Sequence, residues 1–356
     1  MRRLIPCLLS LAILSGCGLT RGGELPSKSA KPVFASVETE PVASANDAAD
    51  DPAIWIHPTD PSRSLIIGTD KKNGLDVYDL AGKRVQTLSD GRLNNVDLRY
   101  GFALGGQEIA IVAATNRTDQ TLALYAVDAN GRLSNVADGK VATGMADPYG
   151  LCMYRSAAGE YFVFANDGDT GHFKQWQLEA RGARVGARLV REFAVGSQAE
   201  GCAADDGTAA LYVAEEDVGL WRYSAAPNGG DARTSVDTVA KGNLTDDAEG
   251  VTIYYGPGST GYLIVSSQGS NDYNVYRRDG DNEFIGKFAI VPRPAGIDGT
   301  SDTDGIDVTS TSLGSAFPHG VFVAQDGKNT NPSAPQNFKL VPWERIAEAL
   351  KLPRAN

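Results

Sequence analysis

Glu200-Gly-Cys-Ala-Ala and Glu249-Gly-Val-Thr-Ile open two stretches of this chain in the same way, and four more openings resemble them. These are Asp51-Pro-Ala-Ile-Trp, Asn95-Val-Asp-Leu-Arg, Tyr149-Gly-Leu-Cys-Met and Asp304-Gly-Ile-Asp-Val. The anchors recur every 44 to 55 residues, a period within the range of propeller blades. Each opening reads as a short apolar strand. A second apolar strand follows in every unit, as in Leu65-Ile-Ile-Gly, Phe162-Val-Phe-Ala and Val321-Phe-Val-Ala. A third alternates, as in Leu75-Asp-Val-Tyr-Asp-Leu, which marks a strand with one wet face. Six such units, with a turn about every 8–12 residues, predict an all-β fold, a six-bladed β-propeller with a central channel. A β-sandwich would leave the shared anchors unexplained. Segment 33–42 is expected to add a strand that closes the ring against the last blade and hides its edge. A helix is expected only across residues 343–350, with Pro342 at its first turn and Pro353 beyond its stop.

Around this repeat, the net charge of −11 disfavours nucleic acid and anionic membrane surfaces as partners. Abundant carboxylates suit hard divalent cations, calcium or magnesium. Met1-Arg2-Arg3, the apolar run 4–14 and Leu14-Ser15-Gly16-Cys17 read as a signal peptide with a lipobox over residues 1–17, with Cys17 as the lipidation site. The alternative is an ordinary secretory signal. Residues 18–33 read as a flexible linker and residues 34–356 as the propeller domain. The expectation is an exported monomer, an outer-membrane or periplasmic lipoprotein or else a secreted protein, touching a membrane only through its anchor. Cys152 and Cys202 are taken as two buried free thiols, although export leaves a bridge open.

The anchors are mostly acids and amides at the starts of the innermost strands. Equivalent positions converge on one mouth of a propeller channel. Asp51, Asn95, Tyr149, Glu200, Glu249 and Asp304 are therefore expected to form a ring, with Asp50, Asn94, Asp97, Asp247 and Asp307 beside it. So many carboxylates cannot all stay ionised together without cations, and calcium accepts six to eight oxygens. Each acid could instead cap a turn or bond a neighbouring blade. A second ring follows from the ends of the second strands. Lys71, Lys72 and Arg117 make it basic in blades one and two, where they could hold phosphate oxygens. Glu215, Glu216 and Asp326 make it acidic in blades four and six. No Arg-His-Gly-x-Arg, Cys-x5-Arg, Gly-x4-Gly-Lys-Ser/Thr or His-Glu-x-x-His stretch is present, which leaves metal-activated water as the hydrolytic route.

Two stretches, Asp47-Ala-Ala-Asp-Asp-Pro-Ala-Ile-Trp55 and Asn94-Asn-Val-Asp-Leu-Arg-Tyr100, resemble the signature motifs of the β-propeller phytases, the calcium-dependent alkaline phytases of bacteria. Further likeness runs to Gln336-Asn-Phe-Lys-Leu-Val-Pro-Trp-Glu-Arg345 and covers roughly residues 40–350. The resemblance implies release of phosphate from phytate, or calcium-phytate, with several calcium ions. It implies Glu200, Glu216, Asp247, Glu249, Asp298 and Asp304 as metal ligands or their close supports. Asp50, Asp51 and Asp97 are grouped with them. It implies Tyr149 as a site tyrosine and Lys71, Lys72 and Arg117 as phosphate-holding bases, with Lys71, Arg117, Tyr149, Glu200 and Glu216 in the catalytic set. One departure stands out. Blade three lacks the lysine expected after its second strand, and Asn166, Asp167 and Asp169 could make a local calcium turn there instead. An exported propeller that binds calcium-phosphate ligands or a surface partner without turnover is the competing reading, and a phosphatase or lactonase with another substrate is a third.

Overall fold

The computed structural model describes residues 25–294 and 296–353. The segment read as a signal peptide, with Cys17, and the first part of the expected linker lie outside the described residues. Six antiparallel sheets follow one another along the chain, at 49–88, 93–142, 148–194, 199–238, 248–290 and 306–342. In each sheet the first strand is innermost. The six inner strands pack side by side in a closed ring, with Ile306–Thr309 of blade six returning to Ala49–Trp55 of blade one.

The core is not one cluster but six, each shared by two adjacent blades. Leu65 and Ile67 of blade one meet Val112 and Tyr125 of blade two. Ile66 and Tyr78 of blade one meet Phe338 and Leu340 of blade six on the other face. This arrangement explains why the second strands read as continuous apolar runs: both faces are covered by neighbours. It also corrects the third strands. Alternation predicts one wet face, yet Gly74–Asp79 is buried at five of its six positions. Asp76, expected outside, is buried and accepts a hydrogen bond from Thr87 at 2.5 Å.

The N-terminal segment splits between the last two blades. Val37–Glu38 pairs antiparallel with Asn337–Pro342 and closes blade six, as expected. Lys31–Val33, read as linker, instead joins blade five in parallel with Phe284–Ile290, because Val33 has a place in the core between blades five and six. The helix runs over Trp343–Leu350, with Pro342 as its N-cap rather than inside the first turn. Trp343 stacks on Tyr254 with ring centroids 3.8 Å apart, pinning the helix to blade five.

Cys152 and Cys202 form a disulfide, with Cα atoms 5.6 Å apart, so the free-thiol reading is overturned. Its cause is the ring itself. The inner strands of blades three and four, Pro148–Arg155 and Ala199–Asp205, run side by side and bring two cysteines 50 residues apart in sequence within bonding reach.

Candidate active site at the channel mouth

In five blades the pairing of inner and second strands skips two residues. They are Asp50-Asp51, Asn94-Asn95, Tyr149-Gly150, Glu200-Gly201 and Glu249-Gly250. In blade six, Asp304-Gly305 stand just ahead of the inner strand. A bulge releases a side chain from the ladder and re-aims it. The first residue of each pair turns to one mouth of the channel. In blade one the ring therefore runs through Asp50 rather than Asp51, whereas in blade two both Asn94 and Asn95 lie against Glu200. The glycines are steric necessities. A Cβ on Gly150 would lie 2.0 Å from the Glu200 carbonyl oxygen, and one on Gly201 2.1 Å from that of Glu249. Successive bulges touch backbone to backbone.

A second tier follows the second strands: Lys71, Arg117, Gly168, Glu216, Gln268 and Gly327. The first five donate their backbone N–H groups to the carbonyls of Ala48, Arg92, Asp147, Gln198 and Asp247, so five blades repeat one local geometry. These tiers line two adjoining clefts. One, of about 970 Å³, includes Lys71, Tyr149, Glu216, Asp247, Glu249 and Asp304. The other, of about 440 Å³, includes Lys71, Lys72, Arg92, Arg117 and Tyr149.

Lys71 Nζ lies 2.9 Å from Asp47, 3.0 Å from Asp50 and 3.1 Å from Asp304. Burial opposes its charge, but Asp50, Asp304 and Asp47 outweigh that and hold the ammonium far above the usual lysine range. Arg117 grips Asp147 through two bonds of 2.7 Å and donates to Asn94 Oδ1 at 3.0 Å. Its guanidinium stands 5.3 Å from the Tyr149 ring centroid. Lys72 Nζ donates to the Ala45 carbonyl at 2.6 Å.

Opposite this basic side, Glu200, Glu216 and Glu249 each offer an oxygen, and the three oxygens lie within 4.8 Å of one another. All three residues are buried, and Glu216 Oε1, Glu249 Oε2 and Asp50 Oδ1 have no hydrogen-bond partner among the described residues. Burial, then Asp50 and Asp304, raise the Glu200 carboxyl well above its ordinary range. Burial, then Glu200 and Glu216, do the same to Glu249. Burial pushes Glu216 up to about 7. Asp304 is pushed by burial to about 7, against the pull of Lys71. Tyr149 bonds Glu200 through its hydroxyl, and burial with the Glu200 charge raises that phenol far beyond its normal value. It stays a neutral donor.

Lys71, Lys72, Arg117, Tyr149, Asp50, Glu200, Glu216, Asp247, Glu249 and Asp304 are thus brought together as the sequence predicts. Three predicted metal ligands are not. Asp51 turns from the ring and accepts the Val96 N–H of blade two at 3.0 Å. Asp97 lies toward the far mouth, where it pairs with Arg99 at 3.0 Å and accepts the Met153 N–H of blade three at 2.7 Å. Both are blade-to-blade ties. Asp298 sits on the flank of blade six, 2.5 Å from the buried Lys339 ammonium, with Thr330 also donating to it. In blade three, two of the three residues expected to form a local calcium turn are engaged with backbone groups. Asn166 donates inward to the Ala199 carbonyl, and Asp167 accepts the N–H groups of Ala146 and Asp147. Gly168 stands at the matching place in blade three, where a Cβ would lie 3.2 Å from the Tyr149 side chain, a tight contact.

Sequence reasoning missed Asp147, Gln198 and Arg92. All stand two residues before a ring anchor, as Asp247 does, and aligning that position across blades would have found them. The Arg92 guanidinium has no ion-pair or hydrogen-bond partner among the described residues, although it lines the basic cleft.

The Phytase family profile matches residues 3–353 of the chain. A 3-phytase from Bacillus subtilis is 46% identical over 326 residues, which is 89% of this chain and 85% of that protein. A crystal structure of a functionally unknown protein from Desulfotomaculum acetoxidans overlays 67% of this chain and 71% of its own, at a TM-score of 0.46 and 11% identity, too remote to bear on function. The chain belongs to the phytase family of phosphoric monoester hydrolases and carries that chemistry on a six-bladed β-propeller.

Proposed function

We propose that this enzyme releases phosphate from phytate at the channel mouth, and that calcium ions seated among Glu200, Glu216 and Glu249 are needed for it. The Bacillus subtilis relative is a 3-phytase. The observation that carries the calcium reading is the trio of buried carboxylates with unpartnered oxygens. An all-oxygen, multiply anionic set fits a hard divalent cation and suits no soft metal. Asp50, Asp247 and Asp304 complete it. When bound, the cation neutralises these carboxylates, polarises phosphoryl oxygens and lowers the pKa of water.

The remaining work belongs to the chain. Lys71 and Arg117 face the phosphoryl group and stabilise the charge on its oxygens. Both are already paired with carboxylates, so an entering phosphate takes over bonds now made to Asp47 and Asp147. Tyr149 fixes the rotamer of Glu200 from below. Glu200 or Glu216 orients the attacking water and receives its proton. Water attacks phosphorus, the bond to the ester oxygen breaks, and that oxygen takes up a proton from solvent as it leaves; no phosphoenzyme forms. Lys72 and Arg92 hold a second phosphate of the same polyanion. Export and a lipid anchor at Cys17 belong to the same proposal, and the disulfide supports an oxidising compartment. The enzyme acts as a monomer without nucleic acid, in keeping with its acidic charge.

The test is substrate preference. With calcium present, the purified protein is expected to release phosphate from phytate far faster than from p-nitrophenyl phosphate. Equal or reversed rates would contradict a site built for a polyphosphate.

A further inference from the structure

We propose that the Cys152–Cys202 disulfide is a positioning element for the catalytic carboxylates. It holds the inner strands of blades three and four at the spacing that lets Tyr149 reach Glu200, and Glu200 meet Glu216 and Glu249. The inference rests on the calcium reading above.

Counting three residues on from the ring anchor gives Asp97 in blade two, Cys152 in blade three, Thr252 in blade five and Asp307 in blade six, while blades one and four carry Ala53 and Ala203 there. Asp97 accepts the Met153 N–H of the next blade at 2.7 Å. Thr252 donates to Asp307 of the next blade at 2.9 Å. Asp307 accepts the Ile54 N–H of the next blade at 2.8 Å. In blades two, five and six this position is where an inner strand fastens to its successor. Cys152 does the same by a covalent bond instead of a hydrogen bond.

The bond lies close to the chemistry. Cys152 follows Tyr149 by three residues, and Cys202 follows Glu200 by two, within single short strands. Both cysteines are buried. Polar contacts hold the ends of this junction: Asn166 on the Ala199 carbonyl near the mouth, and the Arg155 N–H on Asp206 at 3.0 Å toward the far side. The disulfide holds its middle. Glu200 has to satisfy Asn94, Tyr149 and a cation at once, so a small slip between these two strands is felt at the ligand oxygens. Groups that orient metal ligands without touching the metal commonly change affinity by about 10–100-fold when removed.

Two variants test this: Cys152→Ala/Cys202→Ala, and Cys152→Val/Cys202→Ala, which keeps more of the packing. Calcium binding to metal-stripped protein is measured by titration calorimetry. The kcat and KM for phytate are measured alongside, well below each variant's own melting temperature. The expected result is calcium binding weakened by about tenfold or more, with a lower kcat that excess calcium partly restores. If both variants bind calcium and turn over like the parent while only the melting temperature drops, the disulfide is a plain staple and the inference fails alone. If the parent itself binds no calcium, the calcium reading fails and takes this inference with it.

Discussion

Asn94 of blade two donates its amide to Glu200 of blade four at 2.6 Å, reaching past blade three. Blade three answers with Tyr149, whose hydroxyl bonds the same carboxylate. Glu249 of blade five and Glu216 approach Glu200 from the other side. One side chain thus gathers contacts from three blades besides its own. A site assembled this way is rigid only while the ring is closed. It also concentrates negative charge that neither Asn94 nor Tyr149 can neutralise.

Activity and metal-free stability are therefore expected to move in opposite directions at Glu249. Glu249→Gln removes one of three mutually repelling buried carboxylates. In EDTA the variant should melt above the parent, because an ionised Glu249 is disfavoured by burial and by Glu200 and Glu216. With calcium, phosphate release from phytate should fall by about 10–100-fold. Thermal melts in EDTA and a phosphate assay check the pair.

The same carboxylates set a pH dependence. Glu216 and Asp304 are both raised to about 7 in the folded protein. Above the ordinary carboxylate range the unfolded chain has released these protons while the folded chain still holds them. Metal-free stability should therefore fall as pH rises through that window, and level off above about pH 7 where both states are ionised. Bound calcium should reverse the trend, because below pH 7 it has to displace protons. The stabilisation by calcium is expected to be larger at pH 8 than at pH 5.5, read as the difference in melting temperature with and without the ion.

Arg92 is expected to act on binding rather than on bond cleavage. Its guanidinium faces the basic cleft without a carboxylate to hold it. Arg92→Ala should raise KM for phytate several-fold and leave kcat within about twofold, the pattern of a contact made equally in ground and transition states. A monophosphate ester should show no change. Steady-state kinetics with both substrates decide it.

Asp97 provides the converse. Its carboxylate ties Arg99 and the Met153 N–H rather than facing the Glu200 cluster. Asp97→Ala should cost about 2 kcal/mol of stability by leaving a guanidinium and an N–H underpaired. The kcat of the surviving folded enzyme should stay close to that of the parent. Urea unfolding beside a phosphate assay separates the two effects.

Much of this was legible in the chain because the repeat carried it. Six openings at blade spacing suffice for the fold, and residue types at those openings suffice for most of the mouth. What the repeat could not show was direction. Asp50 and Asp51 are adjacent and alike, and only the bulge decides that the first faces the mouth while the second grips blade two. Asp97 and Asp298 are acids of the right kind in the wrong places, because a carboxylate satisfied by Arg99 or Lys339 reads no differently from one awaiting a cation. Cys152 and Cys202 are far apart along the chain, and their meeting depends on blades three and four being neighbours at matched heights. Arg92 sat at an unaligned position.

The central claim is that the buried carboxylates from blades four and five hold no polyanion without divalent cations between. The most direct measurement is phosphate release from phytate by the purified enzyme, first treated with EDTA and dialysed, then given calcium stepwise. Activity is expected to vanish on chelation and to return with added calcium, more fully at pH 8 than at pH 5.5. Undiminished turnover in the stripped enzyme would contradict the account.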